Sequence, residues 1–202
     1  MKTVIAFLIS SLMVSGCDMV LDTTETAQFS QNGISFRYPA SWDVDYKNTD
    51  GQHQWISLEG VFTLGVDINI ESRVQEKTRT LYGGDAINIM AYAQGYSDTF
   101  KQLEIPGATI ESKGFEVLDT IEDSALGNVQ CVREFYQVKG YTQEAFLRDY
   151  CGMQTPSHSI YFVMQRNQRE QTRLEPGLKL VMGSFDMRSD LSENAATQTV
   201  SL

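Results

Sequence analysis

The chain has 202 residues, 42% of them apolar and 21% charged, which predicts one domain with a real core and argues against wholesale disorder. Sixteen basic residues stand against 26 acidic ones, giving a formal net charge of -10 at pH 7. Such a surface is repelled by phosphate backbones and anionic headgroups, which argues against nucleic-acid binding and electrostatic membrane association.

The first sixteen residues have the pattern of an export signal. A positive charge stands near the start, residues 4–14 are mostly apolar, and small residues precede Cys17. The apolar run is shorter than the roughly 20 residues of a membrane-spanning helix, so 1–16 are predicted to be a signal peptide. The stretch 14–17 (VSGC) resembles the bacterial lipobox, which implies cleavage before Cys17 and acylation of its thiol. Two or more acyl chains anchor a protein stably. An ordinary signal with an unrelated cysteine is the alternative.

The residues after Cys17 predict where the anchor lies. Asp18 resembles the retention signal that keeps enterobacterial lipoproteins in the inner membrane, which favours the inner over the outer membrane. Residues 18–28 are polar and acidic with no periodicity, so 17–28 are predicted to be a lipidated tether facing the periplasm. The bilayer, bound through acylated Cys17, is therefore the first expected partner.

The first part of the domain predicts strands. Residues 33–38 alternate apolar and polar side chains and are followed by Pro39, with Trp42 in the turn. Segments 55–58 and 61–70 predict the next two strands. The charged residues 71–80 predict a loop.

The pattern then becomes helical from residue 86 to 103, with Asp85 as the predicted N-cap. A partner-binding or membrane-binding face is conceivable, but the helix has no basic flank, so a core-facing stripe is favoured. That stripe follows spacings of three and four residues and comprises Ile89, Tyr92, Tyr96, Phe100 and Leu103.

Strands are predicted again at 108–112 and 114–120, and then at 128–138 and 143–151. Gly140 lies between the last two, as in a hairpin.

Cysteine spacing predicts a disulfide in this hairpin. With Cys17 assigned to lipid, Cys131 and Cys151 remain as an even pair in an exported protein. A three-residue loop at 140–142 would place them directly opposite each other, within disulfide range. A two-residue loop would shift the register by one, and two buried free thiols are the alternative.

The chain closes with a strand at 159–165 and a second helix. Pro176 is expected at or near the first turn of that helix. Its apolar stripe comprises Leu178, Val181, Met182 and Phe185. Residues 29–187 are thus predicted to form one α+β domain, an antiparallel sheet with helices packed on it, and 188–202 a flexible tail.

Two short segments carry a family resemblance. Residues 33–42 (GISFRYPASW) resemble the opening of PsbP-like domains, a superfamily that includes a photosystem extrinsic subunit and bacterial lipoproteins of the DcrB type. Those domains often end with an apolar helix that closes on Ser-Phe, similar to Ser184 and Phe185 here. The resemblance covers about residues 29–187. It implies the PsbP-like fold and a scaffold or accessory role, and it carries over no catalytic residue.

No motif for catalysis, metal binding or a cofactor is found in the sequence, so none of these is expected. His53 and His158 lack neighbouring ligands at zinc spacing and are expected in exposed loops. The pair Gly83-Gly84 lacks the lysine of a phosphate-binding loop. Asp119, Glu122 and Asp123 form an acidic cluster without the spacing of a calcium loop, and a solvated turn is favoured.

Three functions remain open. The favoured one is a non-catalytic, membrane-anchored envelope lipoprotein that binds or supports another envelope protein, for which an exposed apolar patch would be the sign. A carrier of a small ligand would need a largely apolar cleft between sheet and helix, without perturbed titratable groups. A periplasmic enzyme would need a deep pocket with converging carboxylates or a histidine.

Overall fold

The computed structural model describes residues 25–49, 53–60, 64–72, 88–102, 106–119, 121–124, 127–140, 142, 144–155 and 157–188. The strands are β1 (Thr26–Gln31), β2 (Ile34–Pro39), β3 (Asp43–Asn48), β4 (His53–Glu59), β5 (Gly65–Ser72), β6 (Thr109–Val117), β7 (Ile121–Ser124), β8 (Gly127–Lys139), β9 (Ala145–Gln154), β10 (His158–Asn167) and β11 (Asp186–Met187). The helices are α1 (Ile89–Lys101) and α2 (Gln171–Ser184), the second preceded by a 3-10 turn at 168–170.

The strands form two antiparallel sheets. The larger has the order β3-β4-β5-β10-β9-β8-β6, with β7 also paired to β8, and the smaller has the order β1-β2-β11. Helix α1 packs on one face of the large sheet, while α2 and the small sheet pack on the other. The expected α+β architecture, an antiparallel sheet with helices packed on it, is confirmed.

Both faces of the central strands are covered, which explains their burial. In β9, eight consecutive residues from Phe146 to Met153 are buried. Even-numbered residues such as Tyr150 pack under α1, and odd-numbered ones such as Cys151 pack on the α2 side. Strand side chains alternate between faces, so a strand between two layers buries all of them.

The sequence pattern does not reveal four strands, for the same reason in each case, and one of them, β11, has only two residues. β1 buries only Phe29, β3 is an edge strand rich in charge, and β7 is four residues long. None shows an apolar alternation of useful length. Because β1 begins at Thr26, the last three residues of the predicted 17–28 tether belong to the small sheet.

Other boundaries also differ from expectation. The predicted strands 108–112 and 114–120 form one strand, β6, with a bulge between Ser112 and Gly114, and the φ of +129° at Gly114 suits glycine. Helix α1 has Asn88 as its N-cap, while Asp85 and Leu103 lie outside the described residues. Pro176 lies inside α2 and not in its first turn, because the helix already begins at Gln171.

The two segments of the family resemblance meet in space. The backbone N–H of Arg37 donates a hydrogen bond to Ser184 Oγ at 2.8 Å, and the Ser184 hydroxyl donates to the carbonyl of Leu180 at 2.6 Å. The fully buried Phe185 ring stacks on Phe36, with centroids 6.1 Å apart. The opening strand and the closing Ser-Phe therefore hold α2 against the small sheet.

Gly177 is the point of closest approach between α2 and the buried Trp42. A Cβ at this position would lie 2.6 Å from Trp42 Cζ2 and 2.9 Å from Pro39 Cγ, and neither ring can swing away easily. Gly177→Ala is therefore expected to lower the free energy of unfolding by about 1–3 kcal/mol, through overpacking. Urea denaturation followed by tryptophan fluorescence measures this.

Gly183 provides the matched control for this prediction. It lies on the exposed side of the same helix, and an added Cβ would meet nothing within 4 Å. Gly183→Ala is expected to stabilise the domain by about 0.5–1 kcal/mol, through helix propensity alone. Equal effects of the two substitutions would contradict the close packing of Trp42 on α2.

Candidate functional site

Helix α1 is fixed on the sheet by its N-cap and by its aromatic residues. The Asn88 side chain accepts a hydrogen bond from the backbone N–H of Ala91 at 3.0 Å. The Tyr92 ring stacks on Tyr161 of β10 with centroids 3.9 Å apart, and its hydroxyl accepts a hydrogen bond from Asn69 of β5 at 3.3 Å. Of the predicted core-facing stripe, Ile89 and Tyr92 are buried, whereas Tyr96 and Phe100 are half-buried.

A buried ion pair lies beneath α1. The side chains of Arg148 and Glu134, opposite each other on β9 and β8, are each only 1% exposed, and Arg148 Nη1 lies 3.2 Å from Glu134 Oε2. Glu134 also accepts hydrogen bonds from Tyr150 (2.7 Å) and from Ser97 of α1 (2.5 Å). Arg148 donates through Nε and Nη2 to Gln165 Oε1, at 3.2 and 2.8 Å. The network ties the helix to three strands.

Aromatic rings enclose the guanidinium of Arg148. Its Cζ lies 3.8 Å from the ring centroid of Phe100, 4.5 Å from that of Tyr136 and 5.4 Å from that of Tyr96. Cation–π attraction adds to the ion pair and is strongest where water is absent. This arginine is therefore a structural element of the site and is not presented to solvent.

The tyrosines of the network stay protonated. Burial raises the pKa of Tyr150 and of Tyr136 well above the usual value. Burial, followed by the nearby Asp67 carboxylate, raises the pKa of Tyr96 to about 12. The Tyr96 hydroxyl lies 3.5 Å from Asp67 Oδ2. At neutral pH these phenols are uncharged, and the hydroxyls of Tyr150 and Tyr96 donate to Glu134 and Asp67.

An open cleft of about 360 Å³ runs between α1 and β5. Its lining combines aromatic rings with a few polar groups and consists of Asn69, Glu71, Tyr92, Gly95, Tyr96, Thr99 and Phe100. The volume lies in the range of small-molecule sites, although the wall is more polar than a purely hydrophobic pocket. The cleft lies between sheet and helix, where a ligand carrier would need it, but the raised pKa values of Glu71 and Tyr96 depart from the expected lining without perturbed titratable groups.

Glu71 is the one carboxylate of this lining. Burial raises its pKa, while the charge of His53, opposite on β4, acts against that rise. Among the described residues, none donates a hydrogen bond to the Glu71 side chain. Beyond the cleft, on the same face of the sheet, Trp55 is 44% exposed and its indole N–H donates to Asp67 Oδ1 at 3.3 Å.

A second charged network occupies the opposite face of β8, β9 and β10. Arg133 donates to both carboxylate oxygens of Asp149, at 2.6 and 2.9 Å, and Arg166 Nη2 donates to Asp149 Oδ2 at 2.7 Å. Asp149 and Arg166 are buried. Asp149 pairs with both arginines under α2, which points to a structural role, while Nε and Nη1 of Arg166 have no hydrogen-bond partner among the described residues.

The predicted disulfide is present. Cys131 and Cys151 are paired in register on β8 and β9, with Cα atoms 4.2 Å apart, and are joined by a disulfide bond. Both residues belong to the core on the α2 side of the sheet. Cys17 and Asp18, the lipidation and sorting residues, lie outside the described residues, so both stay predictions.

The histidines and the acidic cluster depart from their expected places. His53 is exposed but begins β4, and His158 is half-buried at the start of β10, so neither is a loop residue. Burial lowers the pKa of His158. Glu122 and Asp123 belong to β7 and not to a turn, because this short segment pairs with β8. Gly83 and Gly84 lie outside the described residues.

Comparison with known proteins identifies the fold. No protein-family model and no curated protein matches the sequence. The solution structure of cyanobacterial PsbP (CyanoP) from Synechocystis sp. PCC 6803 matches with a TM-score of 0.53 and 15% identity, over 87% of this chain and 99% of CyanoP. The fold is PsbP-like. At this level of identity the match establishes the fold alone, and it confirms the fold that the resemblance implied.

Two further solved structures are more distant. The Ran-binding protein Mog1p of Saccharomyces cerevisiae matches with a TM-score of 0.46 and 9% identity, over 81% of this chain and 95% of its own. LpqN of Mycobacterium tuberculosis, involved in cell envelope biogenesis, matches with a TM-score of 0.44 and 9% identity, over 81% of this chain and 90% of its own. At these scores neither match supports an argument about this PsbP-like domain.

Sequence reasoning did not identify Glu71, Glu134 or Arg148 as residues of interest. Glu71 fell in a segment interpreted as a charged loop, but it lies on β5. Glu134 and Arg148 stood in segments recognised as strands, where a charged residue usually faces water. The available signal was the pair of adjacent charges in each strand, since neighbouring strand residues point to opposite faces.

Proposed function

We propose that this protein is a non-catalytic lipoprotein of the bacterial cell envelope, anchored through acylated Cys17 and facing the periplasm. Its PsbP-like domain binds or supports another envelope protein. The inner membrane is the proposed location, because Asp18 follows the anchor.

The observation that carries this proposal is the disulfide between Cys131 and Cys151. Such bonds persist in oxidising compartments such as the periplasm and are rare in the cytosol. The bond lies within the core, so it forms part of the folded domain. An oxidised core agrees with an export signal at residues 1–16 and leaves Cys17 as the one cysteine for lipid.

The proposed supporting role agrees with how the domain uses its buried charges. Arg148 and Glu134 pair with each other under α1, and Asp149 joins Arg133 and Arg166 under α2. Groups committed in this way stabilise the domain and are not poised for proton transfer to a substrate. The PsbP-like fold supports the same reading, since the resemblance implies a scaffold or accessory role.

The proposed tether is short. Because β1 begins at Thr26, about eight residues separate Cys17 from the domain, and a fully extended chain of that length spans roughly 29 Å. A partner recognised by this domain would then lie close to the membrane surface. Among the described residues, no helix is long and apolar enough to cross a bilayer.

Cys17→Ala tests the anchor. The wild-type protein is expected to sediment with inner-membrane vesicles on a density gradient and to carry acyl mass on its first mature residue. The variant is expected to appear almost entirely in the soluble fraction, because the acidic surface offers no other attachment. Cell fractionation with immunoblotting and mass spectrometry of the mature N-terminus measure both.

The disulfide variant Cys131→Ala/Cys151→Ala is the matched control, since it also removes cysteines but keeps the anchor and should stay with membranes. Cross-linking of the wild-type protein in intact cells, followed by affinity capture, should recover one envelope complex. Membrane association of the Cys17→Ala variant would contradict the anchor. Capture of no specific complex would contradict the supporting role.

A second candidate function is carriage of a small ligand. The cleft between α1 and β5 favours it, because it combines a suitable volume with aromatic walls and one carboxylate. In the described part of the chain, the large apolar residues that are exposed, Trp55 and Val117, lie on strands at different places in the sheet. The cleft is therefore the better-defined binding feature of the domain.

A further inference from the structure

We infer that the cleft between α1 and β5 binds a small organic cation, with its ammonium group at Glu71 and its apolar body along Tyr96 and Phe100. This inference rests on the second candidate function, carriage of a small ligand, and names the chemical class of that ligand.

The shape of the cleft favours an elongated ligand. Tyr92, Tyr96 and Phe100 follow one another at four-residue intervals on α1, which places eight residues, or about 12 Å of helix, along the wall. The rings of Tyr96 and Phe100 are stacked, with centroids 6.4 Å apart. A volume of about 360 Å³ along such a wall accommodates a ring or short alkyl body with one polar end.

Charge decides which polar end is bound. No lysine or arginine belongs to the lining of the cleft among the described residues, and the whole chain has a net charge of -10. The Glu71 carboxylate has lost part of its hydration, as the burial-raised pKa indicates, and no described residue donates a hydrogen bond to it. An ammonium group placed there supplies both the missing donors and the opposite charge.

The network beneath the cleft sets the direction of the ligand. Arg148, paired with Glu134, already lies 3.8 Å from the Phe100 ring, and the lining at that end offers a second cation no carboxylate. At the other end of the cleft, the wall includes Glu71 and the uncharged ring of Tyr92. A cation there gains from the carboxylate and from a ring face together. The apolar part of the ligand is therefore directed toward Phe100.

Three matched probes test this at pH 8: phenethylammonium, the neutral 2-phenylethanol and the anionic phenylacetate. Titration followed by two-dimensional NMR should show phenethylammonium binding at least tenfold more tightly than 2-phenylethanol, and phenylacetate not binding. The shifted amide signals should include those of Asn69, Gly95 and Thr99. Glu71→Gln should reduce the affinity for phenethylammonium about tenfold, to that for the alcohol.

Glu59→Gln is the matched control, because Glu59 is an exposed carboxylate on the neighbouring strand and does not line the cleft. It should leave the affinity for phenethylammonium unchanged, and the melting temperature reports folding of both variants. Equal binding of the cation and the alcohol, with no effect of Glu71→Gln, would overturn the cation assignment while leaving ligand carriage intact. Binding of none of the three probes would overturn both, and the Cys17 anchor is judged separately by fractionation.

Discussion

Arg148→Met is expected to lower the free energy of unfolding by about 3–5 kcal/mol. The substitution removes the countercharge of Glu134, whose side chain is only 1% exposed, and leaves a carboxylate buried under α1. The hydroxyls of Tyr150 and Ser97 would still donate to Glu134, but they carry no compensating charge. The aromatic rings around the guanidinium would also lose their cation–π contact. Urea denaturation followed by circular dichroism measures the loss.

Two further variants separate the ion pair from packing. Arg148→Met/Glu134→Gln removes both charges while keeping hydrogen-bonding groups for Tyr150 and Ser97, and it should be at least about 2 kcal/mol more stable than Arg148→Met alone. Arg169→Met is the control, because Arg169 pairs with Glu144 at the surface with 78% of its side chain exposed, and its loss should stay under about 1 kcal/mol. Equal losses of unfolding free energy for Arg148→Met and Arg169→Met would show that the buried ion pair stabilises the domain no more than the exposed one does.

The central hairpin was predictable from local information. Gly140 marked the turn, and its φ of +87° confirms a conformation that glycine adopts most readily. With a three-residue loop assumed at 140–142, the register followed by counting, and the observed pairing of Cys131 with Cys151 matches that count. Register in a hairpin is set by the turn, so it needs no knowledge of the rest of the fold.

The candidate site was not predictable in the same way. Whether Glu134 and Arg148 are exposed to water or form a buried ion pair depends on α1, which covers their face of the sheet. This helix lies 33 residues or more away from them along the chain. The cleft likewise depends on the angle at which α1 crosses β5, which no periodicity encodes. Edge strands such as β3 show no alternation of apolar and polar residues in the sequence, because water on one side permits almost any polar residue there.

Loss of the disulfide is expected to cost about 3 kcal/mol of stability. Cys131 and Cys151 are 20 residues apart in sequence, and in the chain-entropy model a loop of this length restricts the unfolded chain by that amount. Reduction of the wild-type protein should therefore lower the urea midpoint. It should also steepen the transition, because the released chain exposes more surface on unfolding.

Two ways of removing the disulfide separate the stability that the cross-link provides from the stability that packing of the sulfur atoms provides. Reduced wild-type protein keeps both sulfur atoms in the core, whereas Cys131→Ala/Cys151→Ala also leaves a space beside the buried residues on the α2 side. The variant should therefore be less stable than the reduced wild type, and the reduced wild type less stable than the oxidised one. Identical midpoints for oxidised and reduced protein would contradict a stabilising bond. The bond would then give no reason to place the protein in an oxidising compartment, because a domain whose stability does not depend on the bond has no need of the periplasm to fold.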